Sequence, residues 1–573
     1  MTRRDFLKML AAASAAGLVF PRHGYAGPDT LNELYDPPPF GQLTLMHMTD
    51  CHAQLLPTYF REPSINIGIG EANGRPPHIV GDRLLKHLGV KPGTINAHAF
   101  SHVAFTELAK VYGKIGGFAH LATVVKHLRA TRPGRTLLLD GGDTWQGSAT
   151  ALWTNGQDMI DATKLLGVDI MTGHWEFTYG AERVKEVIEK DFKGNIEFVA
   201  QNIVDKEFGD PIFKPYTLRE INGVSVGVIG QAFPYTPVSN PGRLVPDWTF
   251  GIQEDRMQKM ADEVRAKGAQ IVVVLSHGGM DSDFKMASRV TGIDIIMGGH
   301  THDALPAPHV VNNPKGKTLV MHSGCNGKFL SVLDLEVKGG KIADYKYRLL
   351  PIFSNLIPAD KEMAAHIVKV RAPFQAKLDE KLGITEELLY RRGNFNGTSD
   401  QLIVEALREI KGTDFAFSPG FRWGATLLPG EAITMEHLMN LTAITYPITT
   451  IIERSGEEIK FMLEDIADNL FNSDPYMQQG GDMVRTGALS YVIDPNNDIG
   501  KRIVRMEDSK GKLIDPNKKY TIATWAGVGP EQPGTPIWDV VAEYLRHHKT
   551  VKIKLPNTPK VINVADNPGL DLA

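Results

Sequence analysis

Short apolar runs punctuate the N-terminal half of the chain at Leu43 to Met48, Thr136 to Leu139, Val168 to Met171, Ile271 to Leu275 and Ile293 to Met297. Runs of this length, rich in branched aliphatic residues and closed by Gly or polar residues, predict buried strands. Between them the apolar spacing predicts helices over 118–129, 183–190 and 253–267. Strand then helix, repeated, predicts an α/β domain whose functional side chains collect along one rim, at the C-terminal ends of the strands.

The pattern changes near residue 357. Over 358–382, Met363, Ile367, Val370 and Phe374 recur at helical spacing and predict a connecting helix interrupted by Pro373. An α/β region follows to residue 556, and then a tail with Pro and Asn that is expected to be extended or poorly ordered. The chain therefore divides into a domain over 27–357, a linker helix over 358–382 and a second α/β domain over 383–573. Residues 57–115 read as an insertion rich in Pro and Gly. Its scattered His78, His87, His98 and His102 are expected to be solvated loop residues rather than ligands, because no strand end presents them.

The chemistry lies in the residues just after each predicted strand: Asp50-Cys51-His52, Gly142-Asp143, Gly173-His174, Ser276-His277 and Gly299-His300-Thr301-His302. One such cluster carries little weight, since a His after a strand is usually a hydrogen-bonded structural residue. All of them together, in this order, point to a two-metal hydrolase. Two divalent ions about 3.5 to 4 Å apart need roughly four protein ligands each, with one carboxylate shared. Asp50, His52, Asp143, His174, His277, His300 and His302 meet that need with Asp143 as the bridge. Imidazole and carboxylate without thiolate suit Mn, Zn, Fe or Ni. Cys51 lies between two candidate ligands, where a thiol could relay sulfur, but strand-like alternation predicts that it points away from them.

Composition adds bounds. With 573 residues, 42% hydrophobic and 22% charged, the chain can build at least two domains with substantial cores. A net charge of -4 gives no electrostatic case for nucleic acid. Cys51 and Cys325 are the only cysteines, so no disulfide framework is expected. Thr2-Arg3-Arg4-Asp5-Phe6-Leu7-Lys8, an Ala-rich apolar stretch from Met9 to Phe20 and a small-x-small site near Ala26 predict a twin-arginine signal over 1–26, and so folded export to the periplasm. That apolar stretch is too short to span a bilayer, and a soluble, monomeric mature protein is expected.

Across residues 41 to 350, the motifs Asp50-Cys51-His52, Gly141-Gly142-Asp143-Thr144, Gly173-His174-Trp175-Glu176-Phe177, His277 and Gly299-His300-Thr301-His302 resemble the metallophosphatase domain of 5′-nucleotidases. The resemblance implies a four-layer α/β/β/α domain joined by a helix to a C-terminal α/β domain. It also implies one ion held by Asp50, His52, Asp143 and His302, a second held by Asp143, His174, His277 and His300, and a bridging hydroxide as nucleophile. Where that family reads Gly-Asn-His-Glu-x-Asp, this chain reads Gly173-His174-Trp175-Glu176-Phe177-Thr178. His174 replaces an Asn ligand, and Trp175 and Thr178 replace a His-Asp pair that assists the transferring phosphoryl group. An alkoxide leaving group needs such assistance, and a sulfur leaving group needs much less.

The stretch over 173–180 is similar to one subgroup, the SoxB-type sulfate thiohydrolases of bacterial thiosulfate oxidation. That similarity implies a cysteine S-sulfonate substrate on the arm of a sulfur-carrier protein of the SoxYZ type, sulfate as product, and manganese as the metal; the ligand set alone also permits zinc. The second half is similar to the substrate domain of 5′-nucleotidases. Ser418-Pro419-Gly420-Phe421-Arg422 stands in place of an Asn-x-Gly-x-x-Arg element, which makes Arg422 the candidate for gripping substrate oxygens, with Arg391 and Arg392 secondary. Trp175 is expected to shape the pocket, while Thr178 has no assigned role. The late loop over 525–534 departs from the family's Gly-Gly-Asp-Gly-aromatic sequence, which argues against nucleoside binding and leaves room for a peptide arm. The insertion over 57–115 is expected to form part of a carrier-binding surface. Two other readings stand beside this one: a periplasmic 5′-nucleotidase or cyclic-nucleotide phosphodiesterase, and a non-catalytic metal-binding partner module.

Overall fold

Strands buried on both faces must be apolar at nearly every position, and the runs that the sequence shows are of that kind. In the computed structural model, which describes residues 33–554 and 556–570, they build two six-stranded sheets. The expected signal segment over 1–26 lies outside the described residues. The first sheet runs in the order Lys341–Pro351, Phe329–Lys338, Leu43–Met48, Thr136–Asp140, Ile170–Met171 and Glu197–Phe198. The second runs His309–Asn313, Gly316–His322, Ile295–Gly298, Ile271–Ser276, Val224–Gln231 and Tyr216–Ile221. Each ligand-bearing strand pairs in parallel with a neighbour, so their C-terminal ends share one rim.

Side-chain alternation divides the strands between layers. Leu43, Leu45, Leu137 and Leu139 face Val226, Val228, Val273 and Met297 in the seam between the sheets. Met46, Met48 and Leu138 face outward onto Phe118, Leu121 and Val125 of the helix Phe118–Thr131. Val272, Val274 and Ile296 face the opposite outer layer, helices Glu254–Ala266 and Met280–Arg289. The result is the four-layer α/β/β/α arrangement. The third strand is shorter than expected because Gly167, left-handed at φ 80°, caps the preceding helix and keeps Val168 in the turn.

The linker differs from expectation. A helix spans Lys361–Arg371, capped by the Asp360 carboxylate accepting from the Met363 N–H. Pro373 interrupts it with a tight turn and a short helix Gln375–Leu378, after which Lys381–Thr385 is a strand, so Leu382 is not helical. The second domain centres on a mixed sheet ordered Thr449–Ser455, Lys519–Trp525, Phe415–Ser418 and Arg485–Gly487. The tail, expected to be loose, is tied down: Lys560–Val561 pairs with Leu489–Ile493, and the Gly569 N–H donates to the Ser64 carbonyl of the insertion.

The insertion itself carries three short α-helices, Gly81–Leu88, Ile95–Phe100 and Phe105–Tyr112. Its histidines, expected in solvent, are mostly packed. His98 is buried among the rings of Phe105, Tyr112 and Phe353. His78 lies between Asn66 and the Asp281 carboxylate, 2.9 Å away, and only His87 of the four is exposed. Two-turn helices between prolines leave too short a periodic signal to read, and that is why the loop expectation failed. Among the described residues, no helix is long and apolar enough to cross a membrane.

Candidate dinuclear metal site

All seven expected ligands converge where the rims of the two sheets meet. The donor atoms of Asp143, His174, His277 and His300 lie within 4.8 Å of one another, as do those of Asp50, His52, Asp143 and His302, and every one of these residues is buried. Asp143 belongs to both groups. Asp50, His52, Asp143, His300 and His302 all have positive φ, from 45° to 75°, a region that L-residues seldom adopt. Such strain costs about 1–3 kcal/mol per residue and persists only where the surroundings fix it. Here it lets consecutive turns aim side chains inward. At Gly299 a Cβ would fall 2.2 Å from Thr49 Oγ1 and 2.8 Å from Asp50 Oδ2, so glycine allows the two rims to touch.

Hydrogen bonds orient the donors. His277 Nδ1 donates to the Gly141 carbonyl at 2.6 Å, which turns Nε2 toward Asp143 Oδ2 at 3.1 Å. Asp50 accepts from Thr49 Oγ1 at 2.6 Å and from the His300 N–H at 3.0 Å. Asp143 Oδ1 accepts the Trp175 N–H at 2.7 Å. His52 Nε2 and His302 Nε2 face each other at 2.9 Å, two imidazole nitrogens turned toward one point.

The electrostatics suit cations. Burial lowers His52 to about 4, takes His300 and His302 well below their ordinary value and lowers His174, so these rings keep free lone pairs at neutral pH. Burial alone would raise Asp143, but His174 and His277 hold it well below the usual carboxylate range. Burial raises Asp50. For His277 burial is outweighed by Asp143 and then Asp50, which raise it to about 10, so the carboxylates draw a proton to a place where a metal cation would neutralise them. Neutral imidazoles around an ionised shared carboxylate fit a pair of divalent ions.

Sequence reasoning assigned Glu176 no role. Its buried carboxylate accepts the backbone N–H groups of Thr144 at 2.7 Å, His174 at 2.8 Å, Asp143 at 3.1 Å and Trp145 at 3.3 Å, binding the Asp143 loop to the His174 loop. An acid two residues beyond a ligand, inside a buried motif, was the available signal. Phe233 was also missed: the rings of His174 and His300 both lie 4.1 Å from its centroid.

A cleft of about 700 Å³ leads from His300 outward between the domains. Arg422 lines it, with Nη2 3.3 Å from His300 Nε2, and so does Arg392, 3.7 Å from Asp303. Arg391 does not line it; its guanidinium is buried against Asp400 and the carbonyls of Trp423 and Leu441. Insertion residues Pro63, Ile65, Asn66, Ile67 and His78 form one side and residues of the 469–482 segment another. The 525–534 loop, expected to leave room for a peptide arm, does not line this cleft. Gly480 lies against the site, where a Cβ would fall 1.9 Å from His300 Nε2. Cys51 is fully buried and faces the Thr49 carbonyl at 3.8 Å, away from the donor atoms.

Residues 383–538 match the family described as 5′-nucleotidase, C-terminal domain. Over 431 residues the chain is 25% identical to a 5′-nucleotidase of Bos taurus, covering 69% of this chain and 72% of that one. The fold is shared with a 5′-nucleotidase precursor from Thermus thermophilus, at TM-score 0.72 and 23% identity over 91% of this chain and the whole of that one. A sulfate thiohydrolase SoxB, also from Thermus thermophilus, superposes with TM-score 0.88 at 40% identity, covering 93% of this chain and 98% of that chain. The chain belongs to the SoxB family. It is thereby a hydrolase of the 5′-nucleotidase superfamily, with a site that can hold two metal ions.

In this SoxB-family chain, Trp175 and Thr178, the two residues that stand in place of the nucleotidase His-Asp pair, face the second domain. Trp175 meets the rings of Trp423 at 5.1 Å and Phe421 at 5.5 Å, both edge-on. Thr178 Oγ1 and Thr445 Oγ1 are 2.7 Å apart, and the Thr445 hydroxyl lies 3.0 Å from the Thr178 carbonyl. Trp175 is therefore part of the domain interface and does not line the cleft, and Thr178 gains a role in docking that interface.

Proposed function

We propose that this protein releases sulfate from a cysteine S-sulfonate carried on a partner protein of the SoxYZ type, in periplasmic thiosulfate oxidation. The observation that carries the reading is the engagement of Trp175 and Thr178 in interdomain contacts, at positions where nucleotidases keep a proton-handling pair. A reaction run at such a site favours a leaving group that departs without a proton, and a thiolate does so.

Asp50, His52, Asp143 and His302 would hold one ion and Asp143, His174, His277 and His300 the other, manganese in both. When bound, the pair would supply a nucleophile at neutral pH and positive charge for the oxygens of the reacting group. The chain's own residues do the rest. Arg422, half-buried at the inner end of the cleft, grips sulfonate oxygens with a planar guanidinium. The cleft, roofed by the bare backbone at Gly480 and walled by the insertion, admits a slender carrier arm. Water oxygen bonds to the terminal sulfur as the sulfur–sulfur bond breaks. The carrier keeps its cysteine sulfur as a thiolate, and the two protons of the water pass to solvent.

Sulfate release from a carrier peptide bearing cysteine S-sulfonate, measured together with the new thiol, tests this. One sulfate per thiol is expected, and no sulfate from the manganese-loaded protein would overturn it.

A further inference from the structure

His174 differs from its fellow ligands in how its second ring nitrogen is held. Its Nδ1 is turned toward Asp143 at 3.3 Å, while Nε2 lies 3.1 Å from Ser239 Oγ, at the end of the short helix Thr236–Ser239. The Ser239 hydroxyl has one proton and two lone pairs to place. The proton goes to the Thr236 carbonyl at 3.1 Å, and one lone pair accepts from Asn240 Nδ2 at 3.4 Å. The remaining lone pair faces His174, so Nε2 must carry the hydrogen and Nδ1 is left with a free lone pair directed into the site.

Ser239 is in turn held from the other domain. Tyr446, buried in the core of the second domain, donates its hydroxyl to the Ser239 carbonyl. The same stretch of chain makes other bonds beside the ligand loops. Gln146 Nε2 donates to the Ala443 carbonyl at 2.7 Å, and Thr445 meets Thr178.

We propose that Ser239 is a positioning residue that fixes the tautomer and ring orientation of His174, and that Tyr446 holds Ser239 in place, so that one metal position depends on the second domain being docked. The proposal rests on the two-metal reading. Partners of this kind set ligand orientation, and their loss typically lowers metal affinity about 10- to 100-fold. The effect is confined to the ion held by His174, because Asp50, His52 and His302 have no bond to Ser239.

The test is manganese binding to the full-length metal-free protein by calorimetry, with the exchange-coupled spin signal of a manganese pair as second readout. Wild type is expected to bind two ions and show the coupled signal. Ser239→Ala is expected to bind one ion with unchanged affinity and the other roughly 10- to 100-fold more weakly. Ser239→Thr, which keeps the hydroxyl, restores both, and Tyr446→Phe gives a smaller weakening of the same ion. A Ser239→Ala protein that melts like wild type and binds both ions as tightly overturns the proposal, as does equal weakening of both ions or a failure of Ser239→Thr to rescue. A wild type that binds fewer than two ions overturns the metal reading, and the proposal with it.

Discussion

The two walls of the cleft reach the same centre by different means. The first-domain wall supplies all seven candidate ligands from turns directly after strands, five of them at left-handed backbone angles. The second-domain wall supplies no ligand. It supplies Arg422, the rings of Phe421 and Trp423, and hydrogen bonds from Thr445 and Tyr446 to residues next to the ligands. The first wall would set which reaction is possible, and the second would set what may enter and how firmly the ligand loops are held.

Substitutions should separate these roles. Asp143→Asn removes the shared carboxylate and is expected to abolish binding of both ions, with activity down by roughly 10³-fold; elemental analysis and rate measurement check it. Arg422→Ala is expected to leave both ions bound and lower kcat/KM for the S-sulfonate by roughly 10²-fold, and Arg422→Lys should recover little because an ammonium lacks the planar fork. Glu176→Gln places an amide N–H among backbone N–H donors and is expected to destabilise the protein by about 1–3 kcal/mol, read from denaturant unfolding. Thr178→Val should cost about 1 kcal/mol by the same measurement without changing either metal affinity.

The metal-free protein should also show a signed pH dependence. Burial holds His47 and His98 to about 3 and His52 and His102 to about 4, against an ordinary 6.5. Their contribution to stability is present above pH 6.5 and is lost as pH falls toward 3, since the unfolded chain binds protons that the folded chain refuses. His277 has the opposite sign. Raised to about 10 by Asp143 and Asp50 against the pull of burial, it stabilises below pH 6.5, and that contribution is lost as pH rises through 10. Denaturation across pH checks both arms, and added metal should remove the alkaline one by displacing the proton from His277.

The first wall was legible because strand-end ligands leave local motifs in the sequence, which marked all seven and Asp143 as the shared one; their division into two sets of four came from the family resemblance, and Asp143 falls in both clusters. The division of the strands between two stacked sheets was implied by the family resemblance alone, whereas the strands themselves were legible because their buried runs are apolar at nearly every position. The second wall was not, because its contacts join residues far apart in sequence. Nothing near Thr178 announces Thr445, nothing near Ser239 announces Tyr446, and the Arg391–Arg392 pair gave no hint that one side chain turns inward to Asp400 while the other lines the cleft. The insertion shows the same limit, since its histidines are packed by Phe353 and Asp281, far along the chain.

The most direct test of the account is a comparison of kcat/KM on one manganese-loaded preparation, for a carrier peptide bearing cysteine S-sulfonate and for AMP. The account predicts sulfate from the peptide and no phosphate from AMP above background. Phosphate from AMP at an equal or higher kcat/KM would contradict it and return the site to nucleotide chemistry.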